Sequence, residues 1–317
     1  MPREFDCIVC GEVCVDLPVG PVDRTRPLHS QGTLRIEPIR AGTGGIVSNS
    51  GRALAKMGLN TAAFGCVGQD EWADVLTRQL TSAGIDTTSL ISIPGRCTSV
   101  TAIFVDEHGE HTFAFHPGAS TQFDRDLIAD NLNLFERSGW ALFGYYGLLD
   151  QVHDDLPALL QRIRAAGCRT ALDAAAGGGR MQPLDRILPH LDIYVPSYDE
   201  AHSQTGETDP QRMISAFRRH APSTLLGVKL GADGAILSAR PDQWTHVAAI
   251  APPGDIVDTT AAGDCFYAGL LCGLHHRLSV AESGRLAAAA GACAVTGFGT
   301  TALPSLPDLC RLANVAV

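Results

Sequence analysis

Short β-rich runs alternate with helical ones along most of this chain, and few sequence features restrict a fold more. CIVCGEV (7–13), TAAFGCVG (61–68), WALFGYY (140–146), RTALDA (169–174), DIYVP (192–196) and TLLGVKL (224–230) read as strands. Apolar spacing predicts helices near 46–57, 70–83, 154–166 and 199–206, and two more toward the C-terminus. Strands alternating with helices predict a mostly parallel central sheet covered on both faces, a three-layer α/β/α arrangement. With 317 residues, 45% of them hydrophobic, the chain can bury such a core, and no linker-like stretch divides it, so residues 1–317 read as one domain. Two segments break the alternation: 14–41, rich in proline, glycine and charge, and 97–118, whose residues 98–116 read as two strands joined at Asp106–Gly109. Together they predict a small β-sheet standing off the main body like a lid, a device that usually covers a ligand.

Charge narrows the ligand. Net charge is −10, and lysine occurs only at Lys56 and Lys229, so nothing resembles the basic patch that a nucleic-acid partner would require. The N-terminus lacks the basic-then-apolar design of a secretory signal, and LAAAAGACAV (286–295) is too short to cross a bilayer; the expectation is a cytoplasmic protein with no membrane partner. Ten cysteines in a chain of this size read as buried thiols. Cys7 and Cys10 form a C-x-x-C, but residues three apart on a strand face opposite sides, which argues against a metal or redox pair. His108 and His111 sit at the expected hairpin tip, where solvated polar residues are ordinary.

Phosphate-binding loops can be tested by spacing. Neither lysine follows a glycine, which excludes a Walker A loop. Counting from Gly42 and Gly44 in AGTGGIVSNSG, the third fingerprint position is Val47, so the dinucleotide reading fails. DTTAAGDCF (258–266) is different. Ala261, Ala262 and Gly263 let a ligand approach their amides closely, and the apolar run Cys265–Leu274 predicts a buried helix that begins there. Free N–H groups and the helix dipole make that turn an anion cradle. Asp264 stands beside it with a carboxylate able to take a proton from a hydroxyl; capping alone would not need Ala-Ala-Gly before it.

These residues point to a family. DTTAAGD resembles the C-terminal signature of the ribokinase-like (PfkB) carbohydrate kinases, and the resemblance spans nearly the whole chain. GGIVSN (44–49) is similar to that family's N-terminal glycine pair and asparagine, and Asp16 to its sugar-binding aspartate. FVDEHGEHTFAFHPGA (104–119) resembles its lid hairpin, KLGADGA (229–235) its nucleotide-side loop, and VTGFGTTALPS (295–305) its closing segment. The resemblance implies a ribokinase-like fold and ATP-dependent phosphorylation of a hydroxymethyl group on a small sugar or sugar acid.

The roles it implies are specific. Asp264 would be the general base beside an anion hole of Ala261, Ala262 and Gly263, while Asp16, Gly44, Gly45 and Asn49 would hold the sugar. Lys229, Gly231 and Gly234 would face ATP, as would Ser197 and Glu200. SYDE (197–200) stands where the family has N-x-x-E tied to Mg²⁺, with serine in place of asparagine; Glu200 would act on Mg²⁺ through water, and the same spacing is also a helix capping box. Asp258, Thr260, Ala294, Gly297 and Gly299 match positions where family members bind a monovalent cation, making K⁺ activation an expectation. Residues 14–41 carry no aromatic side chain to stack on a base, which favours a sugar over a nucleoside. The third reading, a sugar-binding regulator without turnover, has no use for an intact Asp264 and its cradle. Selectivity would rest on residues such as His116, Tyr145 and Tyr146, and the lid suggests a homodimer paired edge to edge.

Overall fold

The computed structural model describes residues 3–23, 25–30, 32–107, 110–175 and 179–317; the expectation for His108 lies outside them. The strands are β1 (Phe5–Gly11), β2 (Cys14–Val19), β3 (Gly42–Gly44), β4 (Thr61–Val67), β5 (Ile85–Asp86), β6 (Leu90–Ser92), β7 (Val100–Val105), β8 (His111–His116), β9 (Ser138–Gly144), β10 (Arg169–Leu172), β11 (Ile193–Tyr194), β12 (Leu225–Lys229), β13 (Ala235–Ser238) and β14 (Thr245–Val247). The helices are α1 (Gly45–Lys56), α2 (Glu71–Ser82), α3 (Arg125–Asp130), α4 (Leu132–Glu136), α5 (Leu156–Ala165), α6 (Met181–Ile187), α7 (Tyr198–Thr205), α8 (Pro210–Arg218), α9 (Ala262–His275), α10 (Val280–Ala294) and α11 (Leu306–Ala313).

The main sheet runs β14-β13-β12-β11-β10-β9-β1-β4-β5, with β6 also on β4. It is parallel from β12 to β5 and turns antiparallel only at β13 and β14. Every residue of β4 is buried, as a parallel strand covered on both faces requires. One apolar cluster joins Cys7 and Val9 to α1, α2, α9, α10 and α11. The other joins Ile8 and Cys10 to α3–α8. Cys7 and Cys10 therefore sit on opposite faces of one strand, both buried as free thiols.

The second sheet has the order β3-β2-β7-β8. Its β7–β8 hairpin matches the expected one, and β3 lies just past the expected limit of the first segment. Three helices close the chain instead of two, because α11 follows the VTGFGTTALPS segment. The pattern also missed β5, β6, β13, β14, α3, α4, α6 and α8. Most of these are short, and α3 and α4 have only six and five residues, less than two turns, over which a helical period hardly registers.

Parallel strands bring their carboxyl ends to one edge, where α/β sheets bind ligands. Asp16 on β2 follows the end of β1, Tyr145 follows β9, Asp173 follows β10, Ser197 follows β11, and Lys229 ends β12.

Candidate active site

Asp264 is the third residue of α9, yet it does not cap the helix. The residue before the helix, Ala261, adopts a left-handed conformation with φ 63°, and no side chain caps the turn. The Asp264 side chain instead turns into the protein, 6% exposed. Its Oδ2 accepts hydrogen bonds from Tyr145 Oη at 2.8 Å and Asn49 Nδ2 at 2.9 Å. Among the described residues nothing donates to Oδ1. Burial raises the Asp264 pKa to about 7, the negative charge of Asp173 adds to it, and the Tyr145 and Asn49 bonds oppose it.

Asn49 enters from α1, whose start is set by Gly44 and Gly45. A Cβ on Gly44 would lie 2.2 Å from Asp16 Oδ2, and one on Gly45, at φ 78°, would lie 2.4 Å from the Glu12 carbonyl oxygen. Only glycine lets the helix begin that close to Asp16. Burial raises the Asp16 pKa, against hydrogen bonds from Cys14 and Thr101. Asp16 and Asn49 line a cavity of about 810 Å³ that continues past Arg52, Thr43 and His111 to Phe298.

Asp264 opens onto a second cavity of about 690 Å³, lined by Gly263, Lys229, Asp173 and Glu200 among others. Lys229 Nζ lies 3.2 Å from where a side chain on Gly263 would begin. It pairs with Asp173 Oδ2 at 3.4 Å, with the side chains 13% and 5% exposed. Burial pulls the Lys229 pKa down, but Asp173, Glu200 and Asp264 outweigh it and hold the ammonium protonated. For Asp173 burial wins over the Lys229 charge, so its pKa lies above the usual carboxylate value. The Ala262 amide turns back on the Thr259 carbonyl at 3.3 Å, and Gly231 and Gly234 line the same cavity.

Ser197 and Glu200 form the capping box of α7: Ser197 N–H donates to Glu200 Oε2 at 2.7 Å and Glu200 N–H to Ser197 Oγ at 3.4 Å. Both residues also border the second cavity, so the capping geometry and a place beside a ligand coexist. The 258–260 and 294–299 segments come together around Asp258, whose carboxylate accepts from Thr260 N–H at 2.8 Å and Gly299 N–H at 3.5 Å, while Gly297 N–H bonds the Ala294 carbonyl at 3.3 Å. His116 lies apart from both cavities, its Nε2 3.1 Å from Cys97 Sγ, and Tyr146 is buried against His153.

A model of the pfkB family of carbohydrate kinases matches residues 6–308. The chain belongs to that family. Aminoimidazole riboside kinase of Salmonella typhimurium is 31% identical to this pfkB kinase over 284 residues, 84% of the chain and 85% of the relative. A fructokinase of Klebsiella pneumoniae is 30% identical over 283 residues, 84% and 91% of the two. The structure of Arabidopsis thaliana ribokinase complexed with ribose and ATP superimposes with a TM-score of 0.84 over 100% of both chains at 20% identity, a likeness of fold. The pfkB kinase is thus a phosphotransferase on a ribokinase-like α/β fold with a second small sheet.

Sequence reasoning passed over three site residues. Asp173 carried a signal, an acid at the carboxyl end of a strand in a parallel sheet. Arg52 carried one in its spacing of three from Asn49. Phe298, 67% exposed at the cavity rim, carried none.

Proposed function

We propose that this kinase transfers the γ-phosphoryl group of ATP to a hydroxymethyl group of a small sugar or sugar acid. One observation carries the reading: Asp264 is held by Asn49, a wall residue of the first cavity, while its carboxylate opens on the second beside Gly263 and Lys229. In this reading Asp16, Gly44, Gly45 and Asn49 hold the acceptor, and its hydroxyl points at Asp264 Oδ1. The hydroxyl oxygen forms a bond to the γ-phosphorus as its proton passes to the carboxylate; the bond from phosphorus to the bridging oxygen breaks, and its electron pair leaves with ADP. A carboxyl of pKa about 7 suits a base working near neutrality. The Gly263 amide, with that of Ala261 beside it, and the Lys229 ammonium offset charge on the moving phosphoryl group, while the Ala262 amide is held by the Thr259 carbonyl.

Among the described residues no cluster of three or more His, Cys, Asp or Glu could hold a metal. Mg²⁺ fits as an ion held by phosphate oxygens and water, with Glu200 in reach through water; it would supply charge neutralisation. The loops joined at Asp258 would hold K⁺ through backbone carbonyls, and comparing initial rates with and without K⁺ in Na⁺-free buffer tests that. The small sheet would close on the acceptor, and its edge strand β8, with Phe113 52% and Phe115 40% exposed, would pair with a second copy; a monomeric mass at assay concentration would remove that idea. No described helix is long and apolar enough to cross a membrane. A nucleoside acceptor is the second reading, and Phe298 at the cavity rim is the observation in its favour.

ADP release over pentoses, hexoses, sugar acids and nucleosides tests the function. Asp264→Asn should lower kcat by about 10²–10⁴-fold while calorimetry still detects acceptor binding; an unchanged kcat would refute the base.

A further inference from the structure

Arg52 is a wall residue of the first cavity that no motif explains. It follows Asn49 by three residues on α1, and residues so spaced share a helix face, so both border the space around Asp16. The side chain is half-buried. Its Nη1 donates to the Thr43 hydroxyl at 3.0 Å, which engages one corner of a fork with five donors. Among the described residues no acid pairs with it, and burial alone draws its pKa down.

Of the four acids on the cavity wall, Glu37 is exposed and the other three are otherwise engaged. Asp258 accepts from the Thr260 and Gly299 amides, Asp106 from the Glu110 amide at 2.9 Å, and Asp16 from Thr101 and Cys14. A partly desolvated cation without a counterion is costly. Neutral hydroxyls do not require one, because Asp16 and Asn49 already offer acceptor and donor. A planar guanidinium fork does match the paired oxygens of a carboxylate or phosphate.

We infer that the acceptor carries an anionic group and that Arg52 receives it, a step that rests on reading this cavity as the acceptor site. The test uses the whole protein and three acceptors of matched carbon length: a neutral sugar, its sugar acid and its phosphate ester. Binding is read calorimetrically without nucleotide, and turnover by ADP release, for the native chain, Arg52→Gln and Arg52→Lys. The expected result is preference for one anionic acceptor, with Arg52→Gln weakening its binding about 10- to 100-fold and Arg52→Lys recovering part of the loss. The acid and ester arms tell carboxylate from phosphate.

Turnover of neutral sugar with no anion preference in the native chain overturns the inference and leaves the kinase reading standing. Arg52-dependent anion binding with no ADP release from any acceptor does the reverse. Absence of both overturns both. Thermal unfolding of each variant separates lost binding from lost folding.

Discussion

The two cavities linked by the Asn49–Asp264 hydrogen bond are built from different materials. The Lys229 side presents small residues, backbone and the first turn of a helix, with charge concentrated in buried Asp173 and Asp264 and half-buried Lys229 and Glu200. The Arg52 side presents side chains from α1, the small sheet and the 298–301 loop. A phosphoryl group is the same in every kinase, so peptide amides and one ammonium suffice to receive it. Acceptors differ, and side chains can differ with them. On the proposed reading, chemistry and selectivity therefore sit on opposite sides of the Asp264 carboxylate.

The sharpest way to break that contrast is at its charged core. Lys229→Met leaves Asp173 buried with two other acids near it and no cation. Removing one member of a buried pair costs about 3–5 kcal/mol, so urea unfolding should show a loss of that order. Asp173→Asn in the same chain should restore most of it. A loss below about 1 kcal/mol, the level of exposed pairs, would mean that water screens the cluster and that the two cavities are electrostatically alike.

A smaller effect follows from Tyr145, which donates to the same Asp264 oxygen as Asn49 from 119 residues away. The bond favours the ionised carboxylate, so Tyr145→Phe should move the acid limb of kcat/KM upward from about 7 by roughly one pH unit, about 1.4 kcal/mol. Activity should fall as pH drops through that limb, since the base must be unprotonated. Stability runs the other way. A carboxyl whose folded pKa is raised stabilises the fold fully below its unfolded pKa and loses that contribution as pH rises through about 7. The stability of Asp264→Asn relative to the native chain should therefore improve between pH 4 and pH 8. An acid limb unmoved by Tyr145→Phe would detach Asp264 from the step that limits the rate.

The same contrast explains what the sequence made legible. Backbone demands appear as glycine and alanine in fixed order, so the turn before α9 could be read directly, and with it the family. The parallel sheet was legible because strands buried on both faces become continuous apolar runs, as in β4. Tyr145 and Asp173 reach Asp264 and Lys229 across distant parts of the chain, and no local pattern marks such meetings. The spacing of Arg52 from Asn49 was visible, but that no carboxylate among the described residues pairs with it is a fact of three dimensions. Short edge elements such as β5, two residues long, fell below the reach of any periodicity.

The smallest effect lies in the turn before α9. Ala261 holds φ 63° with no capping side chain, a conformation that costs a non-glycine residue about 1–2 kcal/mol. Glycine would remove that strain but would bring back roughly 0.5–1 kcal/mol of chain entropy. Ala261→Gly should therefore stabilise the protein by about 0.5 kcal/mol, seen as a higher urea midpoint at unchanged slope. Since the cradle works through peptide nitrogens, kcat should remain within about threefold, under 0.7 kcal/mol. A variant that loses stability would show that the Ala261 methyl group contributes packing greater than the strain it imposes. The Lys229 side would then depend on side-chain shape, as the Arg52 side does.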